Sequence, residues 1–124
     1  MKTSMYQYGD RGFTLVEIMI VVAIIGLLAS IAVPNFVKAR TTAQAKACIS
    51  NLQQIDGAIQ RWALDLNKAQ GQPVSYSDIS SYLQRAVVCP AGGSTFEDSY
   101  TITTVDANPT CQRVPSTHFL PTTN

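Results

Sequence analysis

The sequence predicts an α+β fold: a long N-terminal α-helix, hydrophobic in its first half and amphipathic in its second, packed on a small antiparallel β-sheet head. Three observations carry this expectation. From Ile18 to Val33 no residue is charged and only Ser30 is polar, a run too long for a strand of about 4–8 residues. An apolar stripe at steps of three and four follows it. Beyond about residue 68 the chain breaks into short aromatic and β-branched runs between glycines and prolines. At 124 residues, one ordinary domain is the most that length allows.

Composition narrows the function. Nine basic residues against eight acidic ones leave a net charge of +1, so the strongly basic face that reads phosphate is missing and no nucleic acid binding is expected. Charged residues make up 14 % of the chain, against about 25 % in ordinary soluble domains; the deficit traces to the single apolar stretch. One histidine, His118, and three cysteines lack the parts for most metal or triad chemistry. His118 has no visible base or nucleophile beside it in sequence, and a nucleophilic Ser or Cys would need one. The expectation is a protein that is not an enzyme and uses no cofactor.

The elements follow in order. Phe13 to Val33 holds one charge, Glu17. At ~1.5 Å per residue it makes about 31 Å of helix, the span of a ~30 Å bilayer core. Pro34 removes a backbone donor and should kink or end the helix. Three readings compete here: a plain transmembrane anchor; a secretory signal with its apolar core at Ile18 to Leu28, cut after Ala32 in Ser30-Ile31-Ala32 to release a secreted binding or enzymatic domain; or a retained helix that packs against its own kind. Glu17 helps to separate them. A carboxylate in an apolar helix is costly and normally has a partner, which neither a signal peptide nor a monomeric anchor offers. Lys2, Arg11 and the terminal amine precede the segment and Lys38, Arg40 and Lys46 follow it, so the positive-inside rule returns a tie and gives no orientation. Gly26 and Ser30 form a small-xxx-small pair that permits close helix approach, and equally match ordinary membrane-helix composition.

Past Pro34, Ala45, Cys48, Ile49, Leu52, Ile55, Ile59, Trp62 and Leu66 trace one face of an amphipathic helix. Lys46, Gln53, Gln60 and Arg61 lie opposite, and Arg61 with Asp65 makes a weak surface pair. Gly57 inside it costs ~1 kcal/mol relative to alanine. The whole helix is expected from about Phe13 to Lys68, bent near Pro34 and stopped by the breakers in 69–73. Ser75-Tyr76-Ser77-Asp78 reads as a capping box for a short helix to about Arg85, burying Ile79, Tyr82 and Leu83. Thr95-Phe96 and Tyr100 to Val105 read as a hairpin with Glu97-Asp98 in its turn. Asn108-Pro109 is a further turn, and from Gln112 a polar, loosely held tail is expected.

Arg11-Gly12-Phe13-Thr14-Leu15-Val16-Glu17 sharpens the reading: a short polar leader ends in Gly, then Phe opens an apolar run whose fifth residue is Glu. This resembles the class III signal of type IV pilins and type II secretion pseudopilins, closely from Arg11 to about Pro34 and more loosely along the following helix. The resemblance implies cleavage by a prepilin peptidase between Gly12 and Phe13, N-methylation of Phe13, and the family's glutamate and helix-kinking proline at Glu17 and Pro34. It implies a single-pass protein of the bacterial inner membrane with its C-terminal part in the periplasm. The bilayer holds it before assembly; afterwards it forms a periplasmic pseudopilus or cell-surface pilus. Implied partners are further copies in a helical homopolymer, related minor pilins, the peptidase, and an inner-membrane assembly platform with its ATPase. Phe13 and Glu17 then act in assembly and register: the amine created at Phe13 can sit beside the Glu17 carboxylate of a neighbour staggered by one turn, or of its own chain. The expected organisation is a cleaved leader over 1–12, a transmembrane and filament-core helix over 13–34, an amphipathic helix over 35–68, a small head over 69–111 and a tail over 112–124.

Outside the inner membrane the compartment is oxidising, so Cys89 and Cys111, which flank the expected hairpin, are expected to pair as a disulfide, worth roughly 3 kcal/mol in the loop-entropy model. Cys48 is left over as a small buried hydrophobe. Zinc is the rival for three cysteines and one histidine, but the spacing matches no closed structural pattern and Cys48 sits in mid-helix, so no metal is expected. Glu97, Asp98 and Asp106 could form a calcium cluster; lacking a loop of alternating oxygens, they read as solvated turn residues.

Overall fold

The structure, a computed structural model, describes Gly9 and residues 11–121. Lys2, most of the leader and residues 122–124 of the expected tail lie outside the described residues. The chain divides into two units, Met1–Lys38 and Ala39–Asn124, and helix α1 (Leu15–Asp65) contributes to both.

In the first unit, α1 starts on a device encoded in Thr14-Leu15-Val16-Glu17. The Glu17 N–H donates to the Thr14 hydroxyl at 3.2 Å, and the Thr14 N–H donates back to the Glu17 carboxylate at 2.8 Å. This is a capping box, which satisfies donors that the first turn otherwise leaves unpaired. The Ser30 hydroxyl donates to the Leu27 carbonyl at 2.7 Å, so the polar group inside the apolar run is satisfied by its own helix. Pro34 lies inside α1; it does not end the helix, because a proline withholds only one N–H, and the helix continues for eight turns or so at ~3.6 residues each. Every described residue of this unit is exposed.

In the second unit, α1 buries Cys48, Leu52, Ile55, Ala58, Ile59, Trp62 and Ala63. The expected stripe is present, with two amendments: Ala45 and Ile49 are half-buried, and Leu66 is exposed. The reason for the last is that α1 ends at Asp65 rather than near Lys68. Asn67 adopts a left-handed conformation, φ 49°; its N–H bonds the Leu64 carbonyl and the Lys68 N–H bonds the Ala63 carbonyl. That is a Schellman termination with Asn in place of the usual Gly, and the Lys68 ammonium lies over Trp62. The core is completed by Val74, Ile79, Val87, Cys89, Phe96, Tyr100, Val105 and Cys111.

The remaining elements are short. Ser75 donates through its N–H and hydroxyl to Asp78, at 2.9 and 2.6 Å, opening α2 (Tyr76–Ile79). A single 3₁₀ turn, Ser80–Tyr82, follows, so the helix stops short of Arg85. Thr95-Phe96 is not a strand. Thr95 and Asp98 form a reciprocal cap, the Asp98 N–H donating to the Thr95 hydroxyl and the Thr95 N–H to Asp98. This makes residues Phe96–Ser99 the helix α3, with Phe96 stacked on Tyr76. The hairpin keeps the first two residues of the expected Tyr100–Val105 strand and changes their partner: β1 (Tyr100–Thr101) pairs antiparallel with β2 (Thr110–Cys111), Tyr100 opposite Cys111. An isolated antiparallel bridge joins Pro73 to Thr104. The segment beyond Gln112 is not a loose tail: the His118 N–H bonds the Val114 carbonyl and the His118 ring is buried.

Candidate functional site

Two places hold the residues singled out by sequence. The first is the start of α1. Gly12 and Phe13 are exposed and precede the helix; Phe13 is 85 % exposed. Glu17 sits in the first turn of α1, and its carboxylate also accepts from the Thr14 hydroxyl at 3.0 Å. The alternative cleavage site, Ser30-Ile31-Ala32, is in the middle of the unbroken α1.

The second place is in the head, and sequence spacing alone did not reveal it. Cys48, Cys89, Cys111 and His118 are 0, 1, 2 and 3 % exposed, and their sulfur and ring-nitrogen atoms all lie within 4.8 Å of one another. The Cys89 and Cys111 sulfurs are 3.6 Å apart, both as thiols, and each is 3.8 Å from His118 Nδ1. Four separate segments bring them together. Gln44, Cys48 and Asn51, at helical spacing on one face of α1, address one stretch of chain. Gln44 donates to the Pro90 carbonyl at 3.2 Å and Asn51 to the Val88 carbonyl at 3.0 Å, which holds Cys89 between them beside Cys48. Gly93 then turns the chain under Cys89, its N–H bonding the Cys89 carbonyl at 2.8 Å. Cys111 arrives on β2, fixed by Gln112, whose amide donates to the Glu97 and Tyr100 carbonyls and the Thr101 hydroxyl. His118 arrives on the C-terminal turn.

The electrostatics of this cluster follow from burial and from donors. Desolvation pushes the Cys48 thiol up to about 12 and raises Cys89 as well. Desolvation also opposes ionisation of Cys111, but the Val114 and Arg113 N–H groups and the neighbouring thiols outweigh it and lower Cys111. The Tyr100 hydroxyl lies 3.6 Å from the Cys48 sulfur and accepts from Asn51 at 3.0 Å. Two of the three acidic residues singled out by sequence are engaged elsewhere: Asp98 accepts from Ser94, Thr95, Ser99 and Arg113, and Asp106 from the Gly71 N–H.

A long N-terminal helix whose apolar half is exposed, with a small α+β head at its other half, defines a class of long-helix, small-head α+β proteins. Residues 8–33 match the family model described as the prokaryotic N-terminal methylation motif. The chain is 36 % identical over 85 residues to competence protein ComGC of Bacillus subtilis, covering 67 % of this chain and 84 % of that protein. It is 47 % identical over 55 residues to the type IV major pilin protein PilA of Myxococcus xanthus, covering 44 % of this chain and 25 % of PilA. It is 39 % identical over 61 residues to the type II secretion system core protein G of Pectobacterium carotovorum, covering 49 % and 39 %. The chain thus spans a quarter to two-fifths of the last two relatives. No solved structure matches it. The chain belongs to the type IV pilin and pseudopilin family.

Proposed function

We propose that the chain is a structural subunit of a type IV pilus or type II secretion pseudopilus, stored in the membrane and polymerised through α1. One observation carries this reading: the apolar side chains from Leu15 to Val37 are all exposed within their unit. Covering such surface is worth about 25 cal/mol per Å², and a helix of this length and composition is suited to crossing a membrane. A bilayer covers it before assembly, and the helices of other copies cover it afterwards. The resemblance of Gly12-Phe13 to the family's processing site supports cleavage there by a prepilin peptidase, with N-methylation of Phe13. In this reading the leader faces the cytoplasm and the head the periplasm. An inner-membrane platform with its ATPase supplies the work of extraction, related minor pilins join the polymer, and Pro34 supplies a kink.

Glu17 gains a second partner after cleavage. In the uncut chain its carboxylate is held by Thr14. Cleavage creates a cation at Phe13, and a charged partner favours the ionised carboxylate more strongly than a neutral donor does. A neighbour's amine, one turn away, meets that need without opening the chain's own cap, and so sets the register. The test is Glu17→Ala in cells, with sheared or periplasmic fibres separated from membranes. Loss of the chain from the fibre fraction, with its membrane level unchanged, is expected. Fibres of normal yield and register would refute the pairing.

A further inference from the structure

We infer that Cys48, Cys89, Cys111 and His118 form a closed Cys₃His site for a structural zinc ion in the core of the head. A tetrahedral zinc with bonds of about 2.3 Å to sulfur places its ligand atoms about 3.8 Å apart. The Cys89–Cys111, Cys89–His118 and Cys111–His118 separations are 3.6, 3.8 and 3.8 Å, the edges of such a tetrahedron. The fourth corner is Cys48, within 4.8 Å of the others. Three soft sulfurs and one imidazole in that geometry suit zinc rather than the hard cations, which take oxygen. With four protein ligands there is no open position for a substrate, so the ion is structural.

The Tyr100 hydroxyl, which accepts from the Cys48 thiol at 3.6 Å, can turn to donate to that sulfur once its proton is lost. Such a donor beside a ligand atom is what a metal site uses to orient and charge-balance its ligands. A Cys89–Cys111 disulfide would use two of the four converging groups and leave Cys48 and His118 without a role. Binding balances as follows: each thiol gives one proton to solvent, His118 offers its Nδ1 lone pair with the ring proton on Nε2, and zinc accepts four electron pairs to give a site of net charge −1. Small heads with thin cores need a staple of this kind, and here one ion ties α1 to the loop before Gly93, to β2 and to the C-terminal turn.

The test uses the full chain, extracted in detergent from cells without chelators. Metal content, native mass and thiols titrated in denaturant with EDTA are measured together. One zinc and three titratable thiols per chain are expected. Protein reduced and stripped of metal should take up Co²⁺ with thiolate-to-cobalt charge-transfer bands and tetrahedral visible bands, bleached by one equivalent of Zn²⁺. Cys48→Ser should weaken zinc binding by more than the roughly 10–100-fold that loss of an outer partner costs, whereas a disulfide makes Cys48 a bystander. A mass short by two hydrogens with a single titratable thiol would overturn the assignment, as would reduced wild-type protein that fails to bind zinc stoichiometrically. If Cys48→Ser does not fold, the wild-type zinc and thiol counts decide alone.

Discussion

Replacing Gly93 with alanine probes the turn that carries Cys89. A Cβ at this position would collide with the Ser99 hydroxyl and stand 2.8 Å from the Cys89 nitrogen and 3.1 Å from its carbonyl oxygen. Ser99 is fully buried, and its hydroxyl donates to the Thr95 carbonyl at 2.6 Å and to Asp98 at 2.9 Å. If the hydroxyl swings aside, a buried polar group loses its partners, at about 1–3 kcal/mol. The Cys89 backbone has no rotamer to escape into, so the turn must shift, at about 1–3 kcal/mol for overpacking. Together Gly93→Ala should destabilise the head by about 2–6 kcal/mol, a large part of the roughly 5–15 kcal/mol that holds a domain together. The single tryptophan, Trp62, is buried in the head core, so its fluorescence during urea unfolding of the detergent-solubilised chain reports the change. Gly93→Ala combined with Ser99→Ala should recover only the part due to the hydroxyl. A Gly93→Ala variant within about 0.5 kcal/mol of wild type, as an ordinary surface change would be, would refute the packing described for this turn.

Other substitutions separate local effects from the site. Gly57, unlike Gly93, lies inside α1, and a Cβ there meets nothing within 4 Å; Gly57→Ala should stabilise the head by up to about 1 kcal/mol, read as a higher urea midpoint. Asn67→Val should destabilise the head by roughly 1–2 kcal/mol, because a β-branched residue resists the left-handed conformation; Asn67→Gly should be tolerated in the same urea assay. Hydrogen bonds from Ser94 lead the effects that hold the Asp98 carboxyl well below the usual carboxylate range. A folded value below the unfolded one means that Asp98 contributes its full stability above about pH 4 and loses it as the pH falls further into acid. Asp98→Asn should therefore lower stability at pH 7 and flatten the acid limb of the urea-midpoint profile between pH 5 and 2.

The long helix and its buried stripe were legible because each needs only local information: an uncharged run, a proline and a three-four periodicity. The end of α1 was misplaced because Gly71 and Pro73 are the louder breakers, while Asn67 stops the helix three residues after Leu64 by adopting positive φ. Thr95-Phe96 read as a strand by residue type, but the Thr95–Asp98 cap and the stacking of Phe96 on Tyr76 decide for a helical turn. The same cap signal at Thr14-x-x-Glu17 was present and outweighed by the cost of a carboxylate in an apolar helix. The cysteine cluster was not legible from spacing, because no two ligands share a local knuckle. His118 comes from a polar segment, Cys48 from mid-helix, and only the tertiary contacts of Gln44, Asn51 and Gln112 bring the four segments to one point. A useful signal was available in the Gln44, Cys48 and Asn51 spacing, which places two amide side chains on the same helix face as a cysteine.

The central claim is that this chain is cut before Phe13 and carried into a polymer by the helix that begins there. The measurement that tests it most directly is the mass of the N-terminal peptide of the chain recovered from fibres and from membranes. A methylated Phe13 terminus is expected in the fibre. A terminus at Val33, or an intact Met1 in every fraction, would contradict it.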